Sequence, residues 1–321
     1  MNNSNLFNHE LAAKAESLGY LPEEWLAEIY AEKWFKIFVP EELGGLGCTL
    51  PEALKIEEKL AKLDGSLGWT VTLCAGAAWF VGFMDESVRK DIFPDEKLCL
   101  AGSGFVGGKA DKIGENYLIS GSWTYASGAL HATHLTANCE IFEEGKALLD
   151  KKGKPVVKAF VLDRKDVEIL DGWNYMGMIA TGSHAFRCEN LSVPLNRCFE
   201  ILPNKAQLKA PVYQYPFLQL AEATLAANIL GISKHLQKLR DEFYGQVNSS
   251  WEELEQKGKI SDSRLKKVSK ISRKLTQHCR EINGKLYPFS GLEAAKTHTE
   301  LNRVWRDFNT VGQHALLIFP F

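Results

Sequence analysis

SGSWTYASGALHATH, Ser120 to His134, packs two Ser-Gly pairs, a Trp, a Tyr and two His into one short run. Glycines and serines interrupting an aromatic stretch read as the end of a β-hairpin. Taken alone, Ser127 is a hairpin-end serine whose hydroxyl bonds its own backbone. His131 and His134 are placed in the strand that follows, where a spacing of three sends them to opposite faces. No metal site is expected, because no further ligands stand out nearby.

Outward from this run, residues 96–205 have a short period. KLCLAGS, NYLISGSWTY, ATHLTANCEIF, PVVKAFVLD, DVEIL and HAFRCENLSVP are rich in β-branched and aromatic residues and are separated by turn formers. They predict a mostly antiparallel β-domain. GSGFVGGKA, Gly102 to Ala110, invites a phosphate-loop reading. It lacks both G-x-G-x-x-G spacing and a P-loop Lys-Ser/Thr, so it is read as a flexible loop between strands.

Residues 1–95 read as helical. LPEEWLAEIYAEKWFKIF is amphipathic and stops at VPEELGGLG, where Pro40 and the glycines break it. Pro51 opens a helix with Ala53, Ile56, Leu60 and Leu63 on one face. DGSLGWTVTLCAGAAWFVGFM is apolar almost all round, which predicts a buried helix with close neighbours. Residues 206–321 are helical again. One long helix is expected from Phe217, carrying Leu218, Ala221, Leu225, Ile229, Ile232, Leu236, Leu239 and Phe243 inward. The last helix is expected to bury Leu301, Val304, Phe308, Val311 and Ala315.

The chain has 321 residues, 45% hydrophobic and 24% charged, with a net charge of -2, an ordinary globular balance. No nucleic-acid footprint is expected, since Lys266 to Lys274 is the solvated face of a helix rather than a basic patch. Seven cysteines without paired spacing are expected to be reduced and mostly buried, as in a cytoplasmic protein. No stretch is long and apolar enough to span a bilayer, and the N-terminus lacks the pattern of a signal peptide.

Four motifs stand in order: VPEELGGLG (Val39–Gly47), WTYASG (Trp123–Gly128), GMIATGSHAFRCENLSVP (Gly177–Pro194) and RVWRDFNTVGQH (Arg303–His314). Together they resemble the acyl-CoA dehydrogenase fold. More narrowly, they are similar to its two-component flavin monooxygenases, which hydroxylate aromatic compounds. The resemblance implies an α+β chain with an N-terminal helical domain (1–95), a middle antiparallel β-domain (96–205) and a shortened C-terminal helical bundle (206–321). It implies FAD or FMN, accepted reduced from a separate reductase, and a small aromatic or heterocyclic substrate oxygenated through a C4a-hydroperoxyflavin. It implies a homodimer or homotetramer formed through the C-terminal helices.

The same resemblance assigns residues. Ser127 and Gly128 fall against the flavin, with the serine near N5, where a fixed hydrogen-bond partner and exclusion of water preserve the oxygenating form. Trp123 and Tyr125 are expected as walls, and Ser103 as a further flavin contact. His314 is expected to reach the substrate, where it hydrogen-bonds or deprotonates a phenol. Without a substrate, it is a helix-end histidine bonded to the last carbonyls. Arg303 either touches cofactor phosphate across a subunit boundary or belongs to an Arg–Asp pair holding helices together.

Departures keep two alternatives open. LAGSGFVGG lacks the dehydrogenase signature, and TVGQHALL lacks the Glu that many dehydrogenases place after the Arg-Asp pair. An acyl-CoA dehydrogenase would then need Glu222 as its base, one residue out of step and about 100° around the helix. GAAW, Gly76 to Trp79, lacks the His that several monooxygenases carry before this Trp. YGQVNSSWEELEQKGKISDS, where the resemblance implies a long helix, is expected as a cut-down connection, and this leaves a non-catalytic module that has lost flavin binding.

Overall fold

The Asn8 side chain accepts the Leu11 N–H and so starts α1 (His9–Leu18), which Gly19 ends at φ 77. The computed structural model describes residues 8–233 and 237–318. α2 (Glu23–Ala31) is shorter than the helix expected over 21–38. Lys33 takes φ 57 and turns the chain into a tight 3-10 turn at Trp34–Lys36. The physical reason is that Phe35, Ile37, Phe38 and Val39 are all buried, which a one-faced helix cannot arrange.

α3 (Leu50–Leu63) opens on a Thr49–Glu52 capping box with Pro51 in its first turn. Its inward residues are Leu50, Ala53, Leu54, Glu57, Leu60 and Ala61. Ile56 is only half-buried and Leu63 is exposed, because the true face is rotated from the expected one. Burial holds the inward Glu57 carboxyl well above the ordinary carboxylate range. α4 (Gly65–Ala78) is capped by Asp64 and buried nearly all round. A Cβ at Gly68 would lie 2.4 Å from Ala61 Cα, so glycine here sets how closely α3 and α4 approach. α5 (Glu86–Ile92) leads to the sheet.

Among the described residues, eight strands follow: β1 (Leu100–Ile113), β2 (Asn116–Trp123), β3 (His134–Glu143), β4 (Lys146–Ala147), β5 (Val157–Asp163), β6 (Glu168–Leu170), β7 (Ala185–Pro194) and β8 (Cys198–Phe199). Their order is β6-β7-β2-β1-β3-β5-β8, with β4 beside β3. All pairings are antiparallel except β1 with β3. GSGFVGGKA is not a loop: it is the body of β1, with register shifts between Gly102 and Gly108. A Cβ at Gly108 would sit 2.3 Å from the Trp123 indole, so this glycine makes room for a ring.

The C-terminal part contains α6 (Pro211–Gln214), α7 (Phe217–Ile232), α8 (Gln237–Lys257), α9 (Asp262–Leu286), α10 (Glu300–Val311) and α11 (Ala315–Ile318). The single helix expected from Phe217 is therefore two. Leu218 is exposed, while Leu225, Ile229, Ile232 and Phe243 are buried. Leu236 and the side chain of Leu239 lie outside the described residues. The supposed cut-down connection belongs mostly to α8, where Tyr244, Val247, Trp251 and Leu254 are buried. The last helix is also two, broken at Gly312–His314. Leu301 and Ala315 face outward, while Phe308 and Val311 are buried. The main core joins α3, α4 and α7 with the remaining helices, and a second core lies within the sheet.

Candidate functional site

Trp123 and Tyr125 are two residues apart and have opposite fates. Trp123 is fully buried in the sheet, stacked on Phe186 at 5.0 Å, with its Nε1–H donating to Asn138 O at 2.8 Å. Tyr125 takes φ 63 and turns the chain out of the sheet; it is 58% exposed. A non-glycine residue held at positive φ is a local cost that the surroundings must hold in place. Those surroundings are backbone bonds: Ala126 N–H donates to His184 O at 3.0 Å, and Gly128 N–H to Thr181 O at 2.9 Å. Gly128 has φ 78, and a Cβ there would meet Cys74 Sγ at 2.6 Å. The hairpin end is thus pressed between α4 and residues 181–184, and Ser127 is delivered between them.

Ser127 is buried, and its hydroxyl does not bond its own backbone. Its Oγ accepts the Trp69 Nε1–H at 3.2 Å and lies 2.7 Å from Ser183 Oγ. Ser183 Oγ is 2.6 Å from Thr181 Oγ1, which donates to Met178 O at 2.8 Å.

Ser127 lines a cavity of about 560 Å³, a size typical of small-ligand sites. Trp69 and Leu73 on α4 form one wall. Tyr125, Trp173 and Tyr175 form another, with the last two rings stacked at 4.1 Å and the two tyrosine hydroxyls 3.2 Å apart. Met178, at φ 57, closes the roof. The roof is clipped to α10: Met178 N–H donates to Asp307 Oδ1 at 2.6 Å, and Arg306 Nη1 donates to Met176 O at 2.5 Å. A Cβ at Gly177 would lie 2.4 Å from the Arg306 backbone, so only glycine allows this approach. Burial and the neighbouring Asp64 carboxylate push the Asp307 carboxyl up to about 7.

The break between α10 and α11 supplies the remaining polar groups. His314 lines the cavity, its ring edge-on to Trp69 at 5.9 Å. Its Nδ1 accepts the Leu316 N–H at 3.2 Å, and burial lowers its pKa. A neutral ring that accepts at Nδ1 carries its proton on Nε2. Thr310 Oγ1, on the same wall, is buried without a hydrogen-bond partner among the described residues.

The structure thus brings Ser127, Tyr125 and His314 to one cavity and places the other candidates elsewhere. Trp123 belongs to the sheet core because its indole fills the space left by Gly108 and Gly121. Gly128 sits behind Ser127, shaping the turn. Ser103 is outside the cavity lining: its Oγ accepts the Phe105 N–H at 3.1 Å within the irregular part of β1. Arg303 is buried and bonded to the Asp64 carboxylate, so within this chain it joins α10 to the start of α4 instead of reaching a ligand. Glu222 is not at the cavity. It is fully buried in the α7–α9 seam, bonded to Ser269 Oγ and to Arg273 Nη2 at 2.6 Å. Fully buried and outside the cavity lining, Glu222 does not meet the space a substrate would occupy, so the structure does not place the expected alternative base there. His131 and His134 do not share a strand. His131 lies in the turn, where its Nε2 accepts the Leu21 N–H at 3.2 Å and burial lowers its pKa to about 4. His134 begins β3.

Trp69, Trp173, Thr181, Ser183 and Thr310 carry the site but were not singled out from the sequence. Thr181 and Ser183 lay inside a quoted motif, and their hydroxyl spacing was the available signal. Among the described residues, no group of three or more His, Cys, Asp or Glu is gathered to hold a metal ion.

Comparison with known proteins gives the class. The family model for the acyl-CoA dehydrogenase N-terminal domain matches residues 5–95, and that for the C-terminal domain matches residues 211–319. The chain belongs to the acyl-CoA dehydrogenase family. Within it, the chain is 30% identical over 230 residues to a pigment production hydroxylase of a Rhodococcus species, covering 69% of this chain and 58% of that protein. It is 23% identical to the flavin-dependent monooxygenase oxygenase subunit HsaA of Rhodococcus jostii, over 95% of this chain and 90% of that one. The crystal structure of a 3-HSA hydroxylase from Rhodococcus sp. RHA1 superposes with a TM-score of 0.87 at 21% identity, covering 97% and 90% of the two chains.

Proposed function

We propose that this chain is the oxygenase component of a two-component flavin monooxygenase acting on a small aromatic or heterocyclic compound. The observation that carries the reading is one cavity presenting the Ser127 hydroxyl and the His314 imidazole between aromatic walls. The relatives named as a flavin-dependent monooxygenase and a hydroxylase support it.

The residues fit a flavin. Ser127 Oγ offers a hydrogen-bond partner at the cavity wall, and Trp69, Leu73 and Met178 line the cavity beside it with largely apolar surface. Reduced FAD or FMN, when bound, supplies the activation of molecular oxygen. The chain's own part is to hold the flavin N5 proton at Ser127 and keep the site dry. His314 is neutral and presents Nε2–H, so it serves as a hydrogen-bond donor to a substrate hydroxyl or phenolate. It is not the base in this arrangement, because its Nδ1 lone pair already accepts Leu316 N–H. The dehydrogenase reading finds no support in the Glu222 seam.

The finer parts of the reading are a separate flavin reductase, self-association through the C-terminal helices and a reducing compartment. Outward-facing Leu286, Phe289 and Leu301 support the second. Seven free cysteines support the third. No described helix is long and apolar enough to cross a membrane.

The test is to mix the protein anaerobically with reduced FMN or FAD and then with oxygen. A near-ultraviolet transient that outlives its free-flavin counterpart is expected. Ser127→Ala is expected to release more hydrogen peroxide per turnover. Reoxidation at the free-flavin rate would overturn the reading.

A further inference from the structure

The hydroxyl groups behind Ser127 form a chain with a direction. Met178 O is a carbonyl and only accepts, so the Thr181 Oγ1 proton points to it at 2.8 Å. Thr181 Oγ1 then has only lone pairs left, and the 2.6 Å contact is made by the Ser183 proton. Ser183 Oγ in turn accepts from Ser127, whose only proton is spent on the 2.7 Å contact. At the other end, Trp69 Nε1–H donates to Ser127 Oγ. One proton arrangement keeps every bond: Trp69 to Ser127 to Ser183 to Thr181 to Met178 O.

We propose that Thr181 and Ser183 are positioning residues that turn the Ser127 hydroxyl proton away from the cavity, so that the serine faces a ligand as an acceptor and the site selects reduced over oxidised flavin. The inference rests on the flavin reading of the cavity. Reduced flavin carries a proton on N5 and donates there, whereas oxidised flavin has only a lone pair at N5. An oxygen with a free lone pair and no free proton completes a hydrogen bond with the first and opposes the second. The consequence reaches the partner chemistry: flavin delivered reduced is retained, and flavin left oxidised after turnover is released.

All four residues are buried; Ser127 and Ser183 border the cavity, and the direction is fixed from Thr181, which lies outside the lining. The two loop residues that end the chain also have fixed backbones. Thr181 O accepts Gly128 N–H at 2.9 Å, and Met178 N–H is held by Asp307 at 2.6 Å. Met178 O also accepts Trp173 Nε1–H at 2.9 Å, so losing the Thr181 hydroxyl does not orphan this carbonyl.

The test measures dissociation constants of oxidised and anaerobically reduced FMN and FAD by flavin and tryptophan fluorescence, in wild type and in variants. Thr181→Val is nearly isosteric and removes the end of the chain. The Ser183 proton then loses its acceptor and is free to turn onto Ser127, which releases the Ser127 proton toward the cavity. The oxidised-to-reduced ratio of dissociation constants is expected to fall about fivefold to tenfold, the reach of one reversed hydrogen bond. A tenfold change is about 30 mV in the midpoint potential of the bound two-electron couple. Ser183→Ala is expected to lower the ratio in the same direction, and Thr181→Ser to restore it. A general loosening of the fold weakens both redox forms alike and leaves the ratio unmoved. An unchanged ratio in Thr181→Val and Ser183→Ala, with both forms still bound, overturns the inference and leaves the flavin reading standing. Wild type that binds neither redox form overturns the flavin reading itself, and this inference with it.

Discussion

Ser127 and Glu222 are both buried polar side chains tied into hydrogen bonds, yet they sit in regions of different character. Glu222 lies in a seam between two helices, and the bonds from Ser269 and Arg273 close it off. Ser127 lies where a hairpin end, α4 and a loop converge on a cavity, and its oxygen keeps a lone pair to spare. Burial is the same in kind. The difference lies in where unused hydrogen-bonding capacity points, and that is what separates a structural polar group from one that can meet a ligand.

The largest effect that sharpens this contrast is expected at the seam. Glu222→Ala removes the carboxylate bonded by Ser269 and Arg273, while Arg273 Nε keeps its bond to Leu316 O; each lost hydrogen bond to a charged group costs about 1.5–3 kcal/mol. The cost shows as a lower midpoint in denaturant unfolding, with the ratio of oxidised to reduced flavin binding unchanged. Activity lost without loss of stability would return Glu222 to the chemistry.

The next concerns the clip on the cavity roof. Asp307 is raised to about 7 in the fold against an ordinary value near 3.8. Its neutral form is therefore favoured by folding, and that stabilising share is complete below pH 4 and is lost as pH rises through 7. Wild-type stability relative to Asp307→Asn is expected to fall by up to about 1.4 kcal/mol per pH unit across that window and then level off. Parallel pH profiles of the two proteins would contradict the assignment.

A smaller stability effect is expected from Ser127→Ala, about 1 kcal/mol for the lost bonds, beside a much larger effect on peroxide release. The smallest belongs to Thr310→Val. Removing an unpartnered buried hydroxyl leaves stability unchanged or raised by up to about 1 kcal/mol, while affinity for a phenolic ligand falls. A clear loss of stability would mean that Thr310 has a partner within the fold.

Much of the architecture was legible in the sequence. Period-two segments between Leu98 and Pro194 became strands, and the all-round apolar run after Asp64 became the buried α4. Helix ends were less legible. Lys33 and the Gly312–His314 break interrupt patterns that continue in sequence, because tertiary burial on both sides outweighs local propensity. The face of α3 was misjudged because a carboxyl, Glu57, points inward. At the site, Ser127 and His314 were legible through motifs, whereas Trp69 and Thr310 were hidden in runs whose apolar or polar character explained them without a cavity. Trp123 differs from the expected wall because glycines on β1 and β2 make a slot for its indole inside the sheet, a cross-strand fit that the residues beside Ser127 do not reveal.

The clipped roof has one further consequence. The cavity has no single owner: α4 gives Trp69 and Leu73, the hairpin end gives Tyr125 and Ser127, and the α10–α11 corner gives Thr310 and His314. A molecule seated there fastens all three parts of the chain at once, and its binding energy becomes cohesion between them. Occupancy should therefore be felt far from the cavity, as amide protons in all three parts exchanging more slowly together, the chain behaving as one cooperative unit while the site is filled.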